Sequence, residues 1–322
     1  MRIVATAFAL ALGLSPAIAQ PYPNKPISLV VPFAAGGPTD LIARLVGESM
    51  TKTLGQQIIV ENIAGAGGTI GPSRVARAKP DGYTFLVHHV GLTTAATLYR
   101  KLDFDIRTAF QPVGIITNGP MILIAKSDFE PKDSAELVAF LRKNGEKVTF
   151  ATAGLGSGSN LCGMLLEAAL KVKLTTVPYR GTGPVMQDLR GKQVDMSCDQ
   201  ATNATQPVRE NFVKAYAVTA PARLGPLPNI PTTGENPDLK SLDLNIWNAL
   251  FAPKGTPPEI VSKVAEALRI ALKEEKVVTR FKDLSTDPAT PEQATPEALA
   301  KAFTAEIERW KPLIEASGQY AD

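Results

Sequence analysis

The chain has 322 residues, 44% of them hydrophobic and 20% charged, with a net charge of +3. That length accommodates two domains. The charges are dispersed, with no Lys/Arg run and no aromatic-basic interleaving, which argues against nucleic-acid binding, while the small positive surplus suits an anionic small molecule.

Residues 1–19 combine Arg2, an apolar run from Ile3 to Leu14 and the small-x-small triplet Ala17-Ile18-Ala19. This is the pattern of a secretory signal peptide cleaved near Ala19, and it predicts a soluble chain in the periplasm. No later run approaches the roughly 18–20 apolar residues that a spanning helix needs. Cys162 and Cys198, the only cysteines, are too few for a disulfide framework. In an oxidising compartment they either pair or remain buried free thiols.

"ISLVVPF" (27–33) reads as a buried strand that stops in Gly36-Gly37-Pro38. A helix follows with Leu41, Ile42, Leu45, Val46 and Met50 on one face, closed by Gly55. "QIIVEN" (57–62) precedes "AGAGGTIG" and a helix through Val75 and Ala78; "GYTFLVHHV" (82–90) precedes a short helix near Thr94–Tyr99. Strands separated by helical patterns predict βαβ units and a parallel sheet.

A second series begins after residue 125. Asp133 and Glu136 predict a capping box for a helix over 134–143. "KVTFATAG" (147–154) leads through a Gly/Ser loop into the helix "SNLCGMLLEAALK". "TTVPY" (175–179) leads through "RGTG" into a helix over 183–190, and "VDMSCD" (194–199) and "VKAYAVTA" (213–220) complete a second sheet. Thr256, Pro257 and Glu259 predict another helix start. From Pro296 a last helix carries Leu299, Phe303, Ile307, Trp310 and Ile314 at helical spacing. "MILIAKS" (121–127) and "NIWNALFAP" (245–253) lie where one series hands over to the other, and predict two lobes joined by two extended crossings. A ligand cleft is expected between them.

The motifs argue against catalysis. "GAGGTIG" and "GLGSGSN" each lack the third glycine of a dinucleotide fingerprint, and neither carries the lysine of a phosphate loop. Ser157 and Ser159 do not meet G-x-S-x-G. His88 and His89, the only histidines, are adjacent on one strand, so they are expected to point to opposite faces and to form no metal site. No cofactor is predicted. The loops instead offer backbone N–H groups at helix starts, at 36–40, 65–69, 154–160 and 179–182. Such groups favour a carboxylate. The hydroxyls of Ser157 and Ser159 either add donors or cap the helix.

The segments "YPNKPISLVVPFAAGGPTDLIARLV", "ENIAGAGGTIG", "PDGYTFL", "TAGLGSGSNL", "VPYRGTGPVMQDLRGKQVDM" and "FAPKGTPPEIV" together resemble the extracytoplasmic solute receptors of tripartite tricarboxylate transporters. The resemblance runs from about Tyr22 to the C-terminal helix. It implies an α/β protein with the type II periplasmic-binding-protein fold and no catalytic activity. Lobe 1 would comprise residues 20–122 and 246–322, and lobe 2 residues 123–245. It also implies a monomer that hands a dicarboxylate or aromatic carboxylate to membrane permease subunits; a ligand-sensing subunit for a signalling partner is the alternative.

By the same resemblance, Phe33, Ala34, Gly36, Gly37 and Thr39 would engage one ligand carboxylate, with Gly67, His89 and Val90 on the same lobe. Ala153, Gly154, Ser157, Asn160, Arg180 and Asp199 would line the other lobe. The family often has His or a hydroxyl residue where Asn160 stands. Asp199 would accept from a ligand NH or OH, and Arg180 either touches the ligand or forms a surface salt bridge.

Overall fold

The structure, a computed structural model, describes residues 21–321. The signal peptide expected over residues 1–19 and its cleavage site therefore lie outside the described residues. Strand β1 (Ile27–Val31) runs into α1 (Pro38–Leu54), followed by β2 (Ile58–Asn62), α2 (Ile70–Ala76), β3 (Thr84–His89) and α3 (Gly91–Leu98). Next come β4 (Phe110–Lys126), α4 (Ser134–Asn144), β5 (Thr149–Thr152), α5 (Gly158–Leu170), β6 (Thr175–Pro178) and α6 (Thr182–Arg190). The order continues with β7 (Met196–Gln200), α7 (Ala201–Arg209), β8 (Val213–Val218), β9 (Asn245–Pro253) and α8 (Pro258–Ala271). It ends with α9 (Glu275–Asp283), β10 (Asp287–Pro288) and α10 (Pro296–Ser317). Among the described residues no helix is long and apolar enough to cross a membrane.

β4 belongs to two ladders. From Phe110 to Pro120 it pairs antiparallel with β9, which pairs antiparallel with β3, and β1 and β2 continue that sheet in parallel. From Met121 onward it pairs antiparallel with β7 on one side and with β8 on the other; β5 and β6 extend that sheet in parallel. The sheets are therefore mixed rather than parallel as expected, because β9 returns to the first sheet and inserts between β3 and β4.

The change of partner falls at Pro120/Met121, with Asn245 opposite Pro120. The Thr219 hydroxyl fastens this junction. It accepts from the Met121 N–H at 2.8 Å and donates to the Leu244 carbonyl at 2.5 Å, so one buried side chain holds both crossings.

Local sequence accounts for most boundaries. Gly55 closes α1 in the left-handed region at φ 69°, which a residue with a Cβ adopts at a cost. Asp133 caps α4 by accepting from the N–H groups of Ala135 and Glu136, while Glu136 reaches back to the N–H of Lys132. The α8 cap differs from expectation. Pro257 is its N-cap, and the Thr256 hydroxyl donates to the Pro253 carbonyl instead of capping the helix.

Leu299, Phe303, Ile307, Trp310 and Ile314 are all buried, so the α10 stripe is the core face expected from its period. Cys162 on α5 and Cys198 on β7 form a disulfide with Cα atoms 6.1 Å apart. It ties the helix behind the Gly/Ser loop to the strand that carries Asp199.

Candidate ligand-binding site

The turn at Phe33–Gly37 is shaped by Asp40, in the first turn of α1. Its carboxylate accepts from the Gly36 N–H at 3.0 Å, from Arg44 Nε at 3.1 Å and from Asn62 Nδ2 at 2.9 Å. Burial pushes its pKa up, but those hydrogen bonds outweigh it and hold the group below the usual carboxylate range. Asn62 also donates to the Phe33 carbonyl at 3.1 Å, locking the strand end. Asp40 thus serves the loop with its side chain.

A small cavity of about 20 Å³, room for about one water, lies between the lobes, where the ends of several elements converge. Phe33, Gly37, Pro38 and Thr39 approach it from the β1–α1 junction, His89 from the end of β3, and Met121 from β4. Ala153, Ser157, Gly158 and Ser159 come from the β5–α5 junction, Thr182 from the start of α6, and Asp199 and Gln200 from β7. Asp40 completes the lining, which contains no Lys or Arg among the described residues. A larger groove of about 750 Å³ between α4, α5 and α10 is lined by none of the expected ligand residues.

Three helix starts thus open on this cavity: α1, α5 and α6. The hydroxyls at α5 are engaged within the protein. Ser157 caps the helix by accepting from the Asn160 N–H at 3.3 Å, Ser159 accepts from the Ala153 N–H at 2.8 Å, and the two hydroxyls lie 3.0 Å apart. The N–H groups of Gly158 and Ser159, the first two positions of α5, have no acceptor within the helix. They carry the partial positive charge of its N-terminus.

His88 and His89 do not diverge as expected. β3 ends at His89 and the chain turns into α3, so the two rings lie 4.9 Å apart and Phe33 packs against both. His89 Nδ1 accepts from the Gly91 N–H at 2.8 Å, which places its proton on Nε2 and makes that atom a donor. Burial pushes the His88 pKa down to about 4 and that of His89 well below the ordinary histidine value, so both rings are neutral.

Asp199 is buried and its pKa is pushed up to about 6, mainly by loss of water; hydrogen bonds from Asn203 and from the Gln200 N–H offset part of the rise. The Thr182 hydroxyl lies close enough to act on that carboxylate, yet it has no hydrogen bond of good geometry and is a buried polar group without a partner. Beneath the cavity, the side chain of buried Asn248 accepts from Thr39 at 3.1 Å. It donates to Gln200 at 3.0 Å and to Thr117 at 3.4 Å, linking α1, β4, β7 and β9.

The other expected residues lie elsewhere. Gly67 and Arg180 line a separate outer cavity, and Ala153 lines both cavities. Ala34 donates its N–H to the Arg180 carbonyl at 2.9 Å across the cleft. Gly36 is exposed, and Val90 is packed in the core. Gly154 abuts Gly67, since a Cβ on it would stand 2.9 Å from the Gly67 Cα. Asn160 spends its side chain on the Gly156 N–H and on Gln319. Met121, Gln200 and Asn248 were not expected. Each is an ordinary strand residue in sequence, and only non-local pairing brings it to the cleft.

The profile of the tripartite tricarboxylate transporter family receptors matches residues 42–319. An Agrobacterium vitis relative, a UPF0065 protein in the TAR-I ttuE-ttuC' intergenic region, is 50% identical over 92% of this chain and 86% of its own length. Among solved structures, the periplasmic binding protein BugD is 45% identical, with a TM-score of 0.90, covering 94% of this chain and all of its own (100%). MatC from Rhodopseudomonas palustris with bound malate is 42% identical, with a TM-score of 0.88, over 91% of this chain and 100% of that one. The R. palustris protein Rpa4515 with adipate is 28% identical, with a TM-score of 0.87, over 92% of this chain and 98% of that one. The two-lobed fold is thus that of periplasmic binding proteins, and the chain belongs to the tripartite tricarboxylate transporter receptor family, whose members are extracytoplasmic substrate-binding receptors and not enzymes.

Proposed function

We propose that this receptor captures an organic carboxylate, a dicarboxylate or an aromatic acid, between its lobes in the periplasm and delivers it to the permease subunits of a tripartite tricarboxylate transporter. The observation that carries this reading is the convergence of three helix N-termini on a cavity lined without Lys or Arg. A buried anion there is held by backbone N–H groups and by the neutral His89, and charge-assisted bonds of that kind contribute roughly 1.5–3 kcal/mol each. The malate and adipate bound by two solved relatives support the same ligand class. Closure would bring residues 20–122 with 246–322 against 123–245, pivoting where β4 changes partner.

The test is calorimetry with malate, adipate and benzoate on the wild type and on Gly158→Pro. Proline is tolerated at the first helical position, and the preceding Ser157 already has the extended backbone that proline requires. A Cβ on Gly158 meets its nearest neighbour at an ordinary 3.4 Å. The substitution therefore deletes one N–H with little disturbance, and affinity should fall at least about tenfold, or about 1.4 kcal/mol. Retained affinity in Gly158→Pro, with binding abolished in Arg180→Gln, would mean that a conventional ion pair holds the anion.

A further inference from the structure

The outer cavity, about 280 Å³, has the opposite electrostatic character to the inner one. One wall is the loop Ala64–Gly68 of the first lobe; the other carries Tyr179 and Arg180 of the second. Arg180 is the only charged side chain in its lining. Its guanidinium is exposed and makes no ion pair among the described residues, whereas Arg74, in the helix that follows the 64–68 loop, is paired with Glu61. Tyr179 has its hydroxyl turned to Asp188. Ala153 is the wall common to the two cavities, so an exposed cation stands beside a chamber that contains none.

The position of Arg180 also depends on closure. Its backbone carbonyl accepts from the Ala34 N–H of the opposite lobe, and Gly181 beside it is so tightly packed that a Cβ there would stand 2.8 Å from the same nitrogen. That bond forms only as the cleft closes, so in the open receptor the exposed Arg180 stands untied at the rim of its own lobe. A cation at this place acts on an anion before it enters. Left inside, it would hold the ligand by an ion pair that opening would have to break.

We propose that the outer cavity is a capture site for carboxylates, in which Arg180 holds the incoming anion transiently before it passes Ala153 into the inner cavity. This rests on the carboxylate reading of the inner cavity. A capture site raises the association rate and leaves dissociation from the closed complex nearly untouched, and its effect is screened by salt.

Stopped-flow fluorescence with malate and with adipate, at low and high ionic strength, tests it on the wild type, Arg180→Gln, Arg180→Glu and the remote surface control Lys301→Gln. At low ionic strength Arg180→Gln should slow association about three- to tenfold and Arg180→Glu more, with dissociation within about twofold of the wild type. The difference should shrink at high salt, and the control should match the wild type. Unchanged association in Arg180→Gln would overturn the capture site. So would a faster dissociation that accounts for the whole loss, since Arg180 would then be a contact of the bound state. If the folded wild type binds neither probe nor any other carboxylate, the ligand class itself is wrong and the capture site falls with it.

Discussion

Asp199→Asn should stabilise the ligand-free receptor at neutral pH. The carboxyl is fully buried and its pKa is raised from 3.8 to about 6. That shift corresponds to a cost of about 3 kcal/mol for carrying the ionised form in the folded state. The sign follows from proton uptake. Between about pH 4 and pH 6 the folded state holds this proton more tightly than the unfolded chain does. The penalty is therefore absent below about pH 4, grows as pH rises to about 6, and is constant above that.

An asparagine carries no charge to desolvate and keeps an oxygen for the Gln200 N–H. Asn203 need only turn its amide over to accept from the new NH2. We expect a gain of about 1–3 kcal/mol near pH 7.5 that vanishes near pH 4, read from urea denaturation by linear extrapolation. His88 and His89 act in the other direction. Their depressed pKa values cost stability as pH falls below 6.5, but they are common to both proteins and cancel in the difference. A difference between variant and wild type that is the same at both pH values would refute the reasoning. Ligand affinity should fall in the same variant, which would make Asp199 a group retained for binding at the expense of stability.

Three further outcomes follow from the buried contacts. Asn248→Ala should lose about 2–4 kcal/mol in denaturant unfolding, because it strands Thr39 and Gln200 at once, and a double-mutant cycle with Gln200→Ala should show coupling above about 0.5 kcal/mol. Replacing both Cys162 and Cys198 by Ser opens a loop with a sequence separation of 36 and should cost about 4 kcal/mol by chain entropy, seen as a lower urea midpoint that reducing agent no longer moves. Thr219→Val keeps the shape but leaves the buried Met121 N–H without its acceptor. It should cost about 1–3 kcal/mol, and hydrogen exchange should quicken first at the Pro120/Met121 junction.

What the sequence made legible was local. The glycine turns, the Asp133 cap and the α10 stripe are written within a few residues of where they act. The first half of β4 was not legible, because Pro112, Gly114, Gly119 and Pro120 read as breakers. The strand tolerates Pro112 and Gly114 because its register shifts between them, and Pro120 because it stands where the strand changes partner. Helix α7 was hidden in the same way, with Thr202, Asn203, Thr205 and an internal Pro207 in nine residues. At the site, the loops announced themselves through their glycines. Their assignment to two chambers did not, since only packing tells that Gly67 and Arg180 face an outer cavity while Thr182 and Asp199 face an inner one. The disulfide was left open by composition alone and is decided by the packing of α5 on β7, which brings the two Cα atoms to 6.1 Å.

The place of β9 has a consequence for the order in which the protein can be made. It lies between β3 and β4 in the sheet but follows them in the chain by the whole of the second lobe. Until Asn245–Pro253 is delivered, β3 and the first half of β4 each present an unpaired edge beside Phe85, Leu86, Val87 and Ile116, all of which are buried in the finished fold. Exposed edges of that kind template aggregation. A nascent or translocating chain that stops short of β9 is therefore a half-sheet with two adhesive rims, and it depends on being held apart until its tail arrives.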